Sequence, residues 1–292
     1  MALHIQIEGL TKRFKDVTAL DNVSLTIEAG MFGLLGPNGA GKSTLMRILA
    51  TILDPTEGKV TIGNYQLPRD KEPVRQMLGY LPQEFGLYRR MTGRQFLEYV
   101  AVLKGMVDRR ERLRRVDELL ELVNLKHAAH RRVRGYSGGM KQRLGIAQAL
   151  LGDPKLLIVD EPAAGLDPEE RIRFRNLLSD LGRERVIILS THIVADISGT
   201  CHRLAVLRQG RIAFHGSVHE LTRRAKGHVW SVVVRESEYP AFEKNFRVVQ
   251  TRATDQGLEL RIVSPTNPGG RGRPAEPTLE DAYVLLMGGA GA

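Results

Sequence analysis

The stretch GLLGPNGAGKSTLMRILA, residues 33–50, is the most informative part of this 292-residue chain. An apolar run suited to a buried strand, MFGLLG, leads into a glycine-rich turn, and apolar residues then recur at helical spacing. We expect a helix that begins at Lys42 and is ended by Asp54-Pro55. A strand, a glycine-rich turn and a helix in this order predict an anion site, because the first N–H groups of a helix lack partners. The predicted buried face of the helix consists of Leu45, Ile48, Leu49, Ile52 and Leu53.

The turn fits the pattern G-x-x-x-x-G-K-[ST] from Gly36 to Ser43. Glycines allow backbone N–H groups to close around a β-phosphate, and the helix N-terminus adds positive potential. We expect Lys42 to neutralise β- and γ-phosphate oxygens and the Ser43 hydroxyl to ligate Mg²⁺. The predicted nucleotide-binding residues of this turn are Gly36, Pro37, Asn38, Gly39, Ala40, Gly41, Lys42, Ser43 and Thr44.

A second motif, LLIVDEP at residues 156–162, places two acids at the end of a buried strand. Ligands in open α/β sheets bind at this edge. Asp160 is expected to hold Mg²⁺ through water, and Glu161 to orient and deprotonate an attacking water. Alone, two acids after a strand would indicate a helix cap or a solvated turn. Together with the phosphate turn, they predict hydrolysis.

Two further polar residues follow predicted strands. His192 comes after the apolar run RVIILS, and Gln83 ends the run GYLPQ. At the same sheet edge, the histidine would contact the γ-phosphate, and the glutamine amide would reach Mg²⁺ or water. A lone histidine is more often structural or exposed, so each residue is weak evidence by itself. Their order along the chain, after the phosphate turn and around the acids, is what favours the catalytic interpretation.

The stretch RGYSGGMKQRLGIAQALL, residues 134–151, contains a second candidate anion site without a lysine. Ser137, Gly138 and Gly139 open a predicted helix, which makes its first N–H groups available to an anion. The alternative is that these residues merely begin the helix. One face of that helix is predicted to carry Met140, Leu144, Ala147 and Leu151.

Composition narrows the class of protein. The chain is 42% hydrophobic and 26% charged, which is ordinary for a globular protein, and its single cysteine excludes an internal disulfide. The N-terminus lacks the pattern of a signal peptide, and no apolar run approaches the roughly 18 residues of a membrane span. The net charge of +10 could favour nucleic acid, but acids are interleaved with the basic residues in DRRERLRRVDELLELV. We interpret that stretch as a solvated helix face.

Two helices are predicted between the strands, at about 92–104 and 108–125. Thr92 with Gln95, and Asp108 with Glu111, have the spacing of capping boxes. The apolar face of the second helix would hold Leu113, Val116, Leu120 and Val123. Further on, RLAVLRQGRIAFHG predicts a hairpin around Gln209-Gly210.

The pattern changes after about residue 220. Alternating runs such as HVWSVVV, RVVQTRAT and LELRIV predict a small sheet. We interpret PTNPGGRGRP as a linker and expect TLEDAYVLLM to form a terminal helix that begins at Thr278.

These motifs together resemble the nucleotide-binding subunit of an ATP-binding cassette (ABC) transporter over about residues 1–220. The resemblance implies an α/β fold of the P-loop NTPase class: a mixed sheet core with an antiparallel part, a helical subdomain at about 84–150, and a small α+β C-terminal extension at 221–292. It adds a D-loop, Gly165-Leu166-Asp167, and an aromatic that stacks on adenine, Phe14, although a core position for Phe14 stays open. Tyr136, Met140 and Ala164 depart from the residues usual in the family.

The same resemblance implies an ATPase that uses ATP and Mg²⁺. Two copies would pair head to tail around two ATP molecules, with Ser137–Gly139 of one copy on the nucleotide held by the other. A separate transmembrane subunit would dock on Glu84–Thr92, through Phe85, Leu87 and Tyr88, which places the chain at the cytoplasmic face of the membrane. The alternative for each of these three side chains is simple core packing.

The C-terminal stretch PTLEDAYVLLMGG resembles ATPases that export drugs and antibiotics, which implies export of a drug, antibiotic, lipid, natural product or ion. The alternative is an ATPase acting on nucleic acid. Only the positive charge favours it, and the chain lacks the sustained heptads of those proteins. We therefore expect no nucleic-acid partner.

Overall fold

The computed structural model describes residues 3–84, 86–162 and 166–288. The chain forms two compact units. The first comprises residues up to 201 together with 205–212, and the second comprises 202–204 together with the residues from 213 onward. In the described residues, no helix has both the length and the apolar character needed to cross a membrane.

Two sheets organise the cassette part of the chain. An antiparallel sheet has the strand order β2-β1-β4-β5, and a six-stranded sheet has the order β10-β9-β3-β8-β7-β6, with parallel pairing of β3 with β8, β8 with β7 and β7 with β6. Strands β7 and β8 are buried throughout, as expected for central parallel strands. The strands are β1 Ile5–Phe14, β2 Val17–Ile27, β3 Gly30–Leu35, β4 Glu57–Ile62, β5 Tyr65–Leu67, β6 Leu78–Leu81, β7 Leu156–Asp160, β8 Val186–Thr191, β9 Arg203–Arg208 and β10 Arg211–Ser217.

Seven α-helices belong to the described part of the first unit. They are α1 Lys42–Leu49, α2 Lys71–Gln76, α3 Gly93–Leu103, α4 Arg109–Leu122, α5 Gly138–Ala149, α6 Pro168–Leu181 and α7 Val194–Ser198. Helix α3 begins with the predicted capping box of Thr92 and Gln95, which is confirmed. In α4, Asp108 accepts a hydrogen bond from the Glu111 N–H, and of the predicted apolar face only Leu113 is not fully buried.

Two helix predictions were wrong in detail. Helix α1 ends at Leu49, because Thr51 adopts a left-handed conformation with φ of 62° and turns the chain. Ile52, predicted to face the core, is consequently 62% exposed. Helix α5 does not bury a single face, since Ile146 and Ala149 are buried in addition to the predicted Leu144 and Ala147. Because α5 is buried on several sides, its apolar residues are not confined to one face.

The second unit contains a four-stranded sheet in the order β12-β13-β11-β14. Its core includes Val232, Phe242 and Ile262. The stretch interpreted as a linker is partly a strand, because Arg273–Pro274 pairs antiparallel with Trp230 and Ser231. The elements are α8 Val218–Arg223, β11 Val229–Val234, α9 Tyr239–Asn245, β12 Arg247–Thr254, β13 Gly257–Val263, β14 Arg273–Pro274 and α10 Leu279–Gly288.

Candidate active site

The glycine-rich turn lies between β3 and α1, where the sequence predicted it. Gly41 is the N-cap of α1 and has a φ of 103°, a conformation that L side chains rarely adopt. A Cβ at this position would collide with the carbonyl oxygen of Ala19. The predicted hairpin at Gln209-Gly210 is confirmed and holds the turn from the other side, since the Gly210 N–H donates to the Ala40 carbonyl at 3.0 Å. The turn is thus held by backbone contacts on two sides.

A cavity of about 480 Å³ opens over this turn. Most of the residues of the turn line it, and Gln83 and Glu161 contribute from the neighbouring strand ends. The β1–β2 hairpin and the β9–β10 hairpin also line the cavity, and neither was predicted from the sequence to do so. The signal for the second was the pair Gln209-Gly210, which was predicted as a hairpin but not assigned to the site. The additional lining residues are Val17, Thr18, Ala19, Gln209 and Gly210.

Two predicted catalytic residues, Lys42 and His192, both contact a third, Glu161. Lys42 Nζ lies 3.2 Å from Glu161 Oε1, and His192 Nδ1 lies 2.6 Å from Glu161 Oε2. Because an ionised carboxylate only accepts hydrogen bonds, the His192 Nδ1–H is the donor in this contact. Lys42 also donates to the carbonyl oxygens of Gly36, at 2.8 Å, and Pro37, at 3.2 Å. Lys42 and Glu161 are buried, whereas His192 is half exposed.

Glu161 owes its position to an unusual backbone conformation. It follows β7 with a φ of 49°, and its N–H donates to the Ser190 carbonyl at 3.0 Å. A non-glycine residue in this region is uncommon and points to a constraint imposed by the site. The turn directs the carboxylate toward Lys42, while the preceding Asp160 stays within the sheet.

Asp160 has the properties of a ligand for a hard divalent cation. Its Oδ1 is buried and has no hydrogen-bond partner in the part of the chain that the structure describes. Burial raises the pKa of its carboxyl, and the nearby hydroxyls of Ser190 and Ser43 oppose that rise. A carboxylate beside a serine hydroxyl offers the oxygen ligands that Mg²⁺ prefers, with room for water and phosphate oxygens. The residues present therefore fit this ion.

Of the predicted site residues Phe14 and Gln83, only Gln83 lines the cavity. Phe14 is 45% exposed at the end of β1, so the alternative of a core position is wrong. It lies outside the residues that line the cavity, although Val17, its partner in the strand register, belongs to them. Gln83 is exposed after β6 and lines the cavity directly.

The serine–glycine turn is a separate surface. Ser137 caps α5, where its Oγ accepts from the Met140 N–H at 3.2 Å, and both Ser137 and Gly138 are exposed. None of the residues Ser137, Gly138 and Gly139 lines the cavity over the phosphate turn. Gly139 packs closely on α6, since a Cβ there would lie 2.8 Å from a carboxylate oxygen of Glu170.

The D-loop prediction is only partly visible. Asp167 caps α6 by accepting from the Glu170 N–H at 2.8 Å, while Ala164 and Gly165 lie outside the described residues. Two ion pairs that were not predicted from the sequence join helix α6 to other elements. Arg143 of α5 lies 3.2 Å from Glu170, and Arg171 binds the buried Asp196 at 2.7 Å and 3.0 Å. The signal for this helix was Asp167-Pro168, an N-cap followed by proline.

The Asp196 carboxylate also reaches the strand that ends at the histidine. Thr191 Oγ1 donates to Asp196 Oδ2 at 3.2 Å, and the same hydroxyl accepts from the Ile193 N–H at 3.0 Å. His192 lies between Thr191 and Ile193 in the chain. The backbone on both sides of the histidine is therefore fixed by a buried carboxylate.

The comparisons with known proteins agree with this site. Residues 20–164 match the family described as ABC transporter. The daunorubicin resistance ATP-binding protein DrrA3 of Streptomyces coeruleorubidus is 37% identical over 235 residues, in an alignment covering 80% of this chain and 74% of that protein. The methionine import ATP-binding protein MetN of Halalkalibacterium halodurans is 38% identical over 279 residues, covering 89% of this chain and 82% of that protein.

Among solved structures, a dimeric post-hydrolysis state of the ATP-binding cassette MJ0796 bound to ADP and Pi superposes with a TM-score of 0.66. It is 27% identical, and the match covers 73% of this chain and 98% of that chain. Fold, site geometry and relatives agree: this chain belongs to the ATP-binding proteins of the ABC transporter family, and it is an ATPase.

Proposed function

We propose that Glu161 is the general base of ATP hydrolysis, that Lys42 binds the β- and γ-phosphates, and that His192 orients Glu161 and contacts the γ-phosphate. The observation that carries this assignment is the position of the Glu161 carboxylate between the two basic side chains, at 3.2 Å and 2.6 Å. A carboxylate at hydrogen-bond distance from a positioned histidine can accept a proton from water.

Nucleotide binding changes the charges around Glu161. The phosphates take up positions at the turn and attract the Lys42 ammonium. In the structure, this ammonium forms an ion pair with Glu161. The carboxylate is then available to an attacking water, while the Nδ1–H of His192 holds its other oxygen. Asp160, Ser43 and Gln83 would hold Mg²⁺, which neutralises charge that develops on the phosphate oxygens. The remaining residues of the turn bind phosphate through backbone N–H groups.

The serine–glycine turn acts on a nucleotide bound to a second copy of the chain. Ser137 and Gly138 are exposed, and they lie outside the cavity of their own chain. A head-to-tail pair would bring this turn to the γ-phosphate held by the partner's phosphate turn, and each chain would supply half of two sites. Asp167, at the N-terminus of α6, belongs to the same interface. Phe14 would stack on adenine from the end of β1.

The variant Glu161→Gln tests the catalytic assignment. It keeps the shape of the side chain and removes the base, so it should abolish steady-state ATP hydrolysis while ATP still binds. With ATP and Mg²⁺, size-exclusion chromatography should then show a stable dimer. Glu184→Gln, at an exposed position outside the site, is the matched control and should hydrolyse ATP normally. Normal turnover by Glu161→Gln would remove Glu161 from the role of base.

A membrane partner would dock beside the predicted loop. Phe85 lies outside the described residues, but Tyr88 is 52% exposed and meets Tyr99 of α3 edge-on, with 5.2 Å between ring centroids. Leu103 of the same helix is 68% exposed. Two adjoining cavities, of about 250 Å³ and 310 Å³, share Arg75 and Lys104. We call the surface formed by Tyr88, Tyr99, Leu103 and these cavities the groove. Glu72 also lines the smaller cavity and lies 3.8 Å from Arg75, so Lys104 is the cation available to an acid of a docking helix, and the exposed Tyr88 and Leu103 suit its apolar residues.

Lys104 supports an acidic partner in particular. Partial desolvation lowers the pKa of its ammonium, although much of the residue is exposed, and Lys104 has no ion pair within the described ranges. A carboxylate from the docking helix would offset that cost. The charge of the groove therefore suits a cytoplasmic helix of a transmembrane subunit, which would hold this chain at the membrane surface.

Charged substitutions in the groove test the docking proposal. Tyr88→Asp and Leu103→Asp should leave the ATPase activity of the purified chain intact and abolish both its co-purification with the membrane fraction and transport. Leu122→Asp, at an exposed apolar position of α4, is the control and should retain both. Full transport by the groove variants would contradict the proposal.

We infer export of an apolar drug, antibiotic, lipid or natural product as the process that is powered. Support comes from the similarity to DrrA3, a drug resistance protein, and from the C-terminal stretch. Because the similar protein MetN serves import, the direction of transport has to be measured. Cells that lack this chain should accumulate a labelled substrate to higher levels than the parent strain. Lower accumulation would indicate import.

A further inference from the structure

The second unit contains a cavity that the ATPase reaction does not use. Its volume is about 390 Å³, within the range of small-molecule sites. The apolar part of the lining comes from the residue between α9 and β12, the end of β13, the loop that follows β13, and helix α10. The apolar lining residues are Phe246, Val263, Pro265 and Leu285.

The lining of this cavity also contains basic side chains. Arg247 and His228 belong to it, and none of its described residues is a carboxylate. Arg247 makes only long contacts, 3.4 Å to the Val284 carbonyl and 3.5 Å to the Gly288 carbonyl. No ion pair of Arg247 occurs in the described part of the chain. Arg247 is exposed and caps the last turn of α10 without an acidic partner in the described residues, so its five N–H donors are not all used and an anion can bind the guanidinium.

Another arginine of the same unit shows the contrast. Arg261 lies beside Asp281, with three hydrogen bonds of 2.6–3.0 Å to the carboxylate, and so its charge is neutralised within the chain. Arginine binds a carboxylate best through two parallel N–H···O bonds. Arg247 offers the same planar group at the cavity but has carbonyl oxygens as its partners.

We infer that this cavity binds a small apolar carboxylate, with its hydrocarbon part on the apolar lining and its carboxylate on Arg247. The Ser264 hydroxyl and His228 provide further polar groups at the lining. A nucleotide is a poor match, because the lining lacks a glycine-rich turn and has few cations for several phosphates. The site is independent of the ATP-binding residues, so its test needs no ATP hydrolysis.

The chain contains its own reporter for this site. Trp230 is the only tryptophan, and its Nε1–H donates to the carbonyl of Ser264, a lining residue, at 3.0 Å. Ligand in the cavity should change the environment of this hydrogen bond and therefore the tryptophan emission. Octanoate is a suitable probe, and octan-1-ol has the same chain length without the charge.

Titration of the full-length protein with octanoate should give a saturable change in tryptophan emission, and octan-1-ol should bind about tenfold more weakly. Arg247→Gln should weaken octanoate binding about tenfold and leave octan-1-ol binding unchanged. Arg252→Gln removes one charge from an exposed position of the same strand and should have no effect. Leu285→Phe fills the cavity, keeps Arg247 and should reduce binding of both probes.

Several outcomes would overturn the inference. One is the absence of a saturable response to octanoate, and another is equal affinity of the Arg247→Gln and Arg252→Gln variants for it. If Leu285→Phe leaves octanoate binding unchanged, the probe binds outside this cavity, and the inference is wrong. Circular dichroism of each variant shows whether the unit remains folded.

Discussion

Tyr136, which precedes the serine–glycine turn, shows how one side chain can fix a functional surface. The residue is 4% exposed, and its hydroxyl donates to the Ala128 carbonyl at 2.8 Å. Its ring packs on Gly93 at the start of α3, where a Cβ would collide with the hydroxyl oxygen. Tyr136, which departs from the residue usual in the family, is therefore accommodated by a glycine on another helix.

The pair can be tested by a double-mutant cycle. Gly93→Ala should destabilise the protein by about 1–3 kcal/mol, because the buried tyrosine has no room to move away from the new methyl group. In the Tyr136→Leu background, the same change should cost much less, since the hydroxyl is gone. Urea unfolding of the four proteins gives the coupling free energy, and additive effects would contradict the contact.

Sequence alone predicts some side-chain roles and misses others for a physical reason. The Lys42–Glu161–His192 cluster was predictable, because each residue follows a strand or turn whose position the fold dictates. The contact of Tyr136 with Gly93 was not, since it joins two helices whose packing no local pattern encodes. The Phe14 position was ambiguous in sequence because an aromatic fits both a core and an exposed edge.

Helix α6 connects the serine–glycine turn with the histidine loop. Glu170 lies 3.2 Å from Arg143 of α5, and the adjacent Arg171 binds Asp196, whose carboxylate holds Thr191. The Asp196 side chain is 3% exposed and Arg171 is 27% exposed. A buried carboxylate without its partner is costly, so this pair determines whether the histidine loop keeps its conformation.

Arg171→Ala should destabilise the protein by about 3 kcal/mol, the lower end of the range for a broken buried pair, because Arg171 is partly exposed. Arg173→Ala on the same helix is the matched control. It removes an exposed pair with Glu169 at 2.6 Å and should cost less than about 1 kcal/mol. Thermal unfolding of the three proteins measures the difference, and equal losses would show that Asp196 does not depend on its partner.

Helices and strands were predictable where caps or alternation were strong. The capping box fixed the start of α3, and the apolar runs identified β7 and β8. The end of α1 was missed because apolar residues continue beyond the left-handed Thr51. Strand β14 was missed because its residues are an arginine and a proline, and its pairing depends on a tertiary contact with β11.

The chain as a whole combines a cassette with a second unit that has its own core and its own buried ion pair. Asp281 is fully buried beside Arg261. Burial opposes ionisation of its carboxyl, but hydrogen bonds from Arg261 and Thr278 outweigh this effect and hold its pKa below the usual range. The ionised carboxylate therefore stabilises the unit at pH values above the pKa of this aspartate in the unfolded chain, about 3.9.

The stabilisation from Asp281 should disappear in acid. Because its folded pKa lies below the unfolded value, the contribution is fully present at pH 7 and is lost as the pH falls below about 4. Urea unfolding followed by Trp230 emission should show a large difference in free energy of unfolding between wild type and Asp281→Asn at pH 7. The difference should shrink at pH 3, and one independent of pH would contradict the assigned pKa shift.

If each ATP is shared between two chains, two variants that are inactive alone should restore activity when they are mixed. Lys42→Ala disables the phosphate turn, and Ser137→Arg disables the serine–glycine turn, so each variant alone should lack ATPase activity. In an equal mixture, random pairing gives half mixed dimers with one intact site of two, so activity should return to about a quarter of the wild-type value. No recovery in the mixture, with both variants folded and able to pair, would show that both turns act within one chain and would contradict the account.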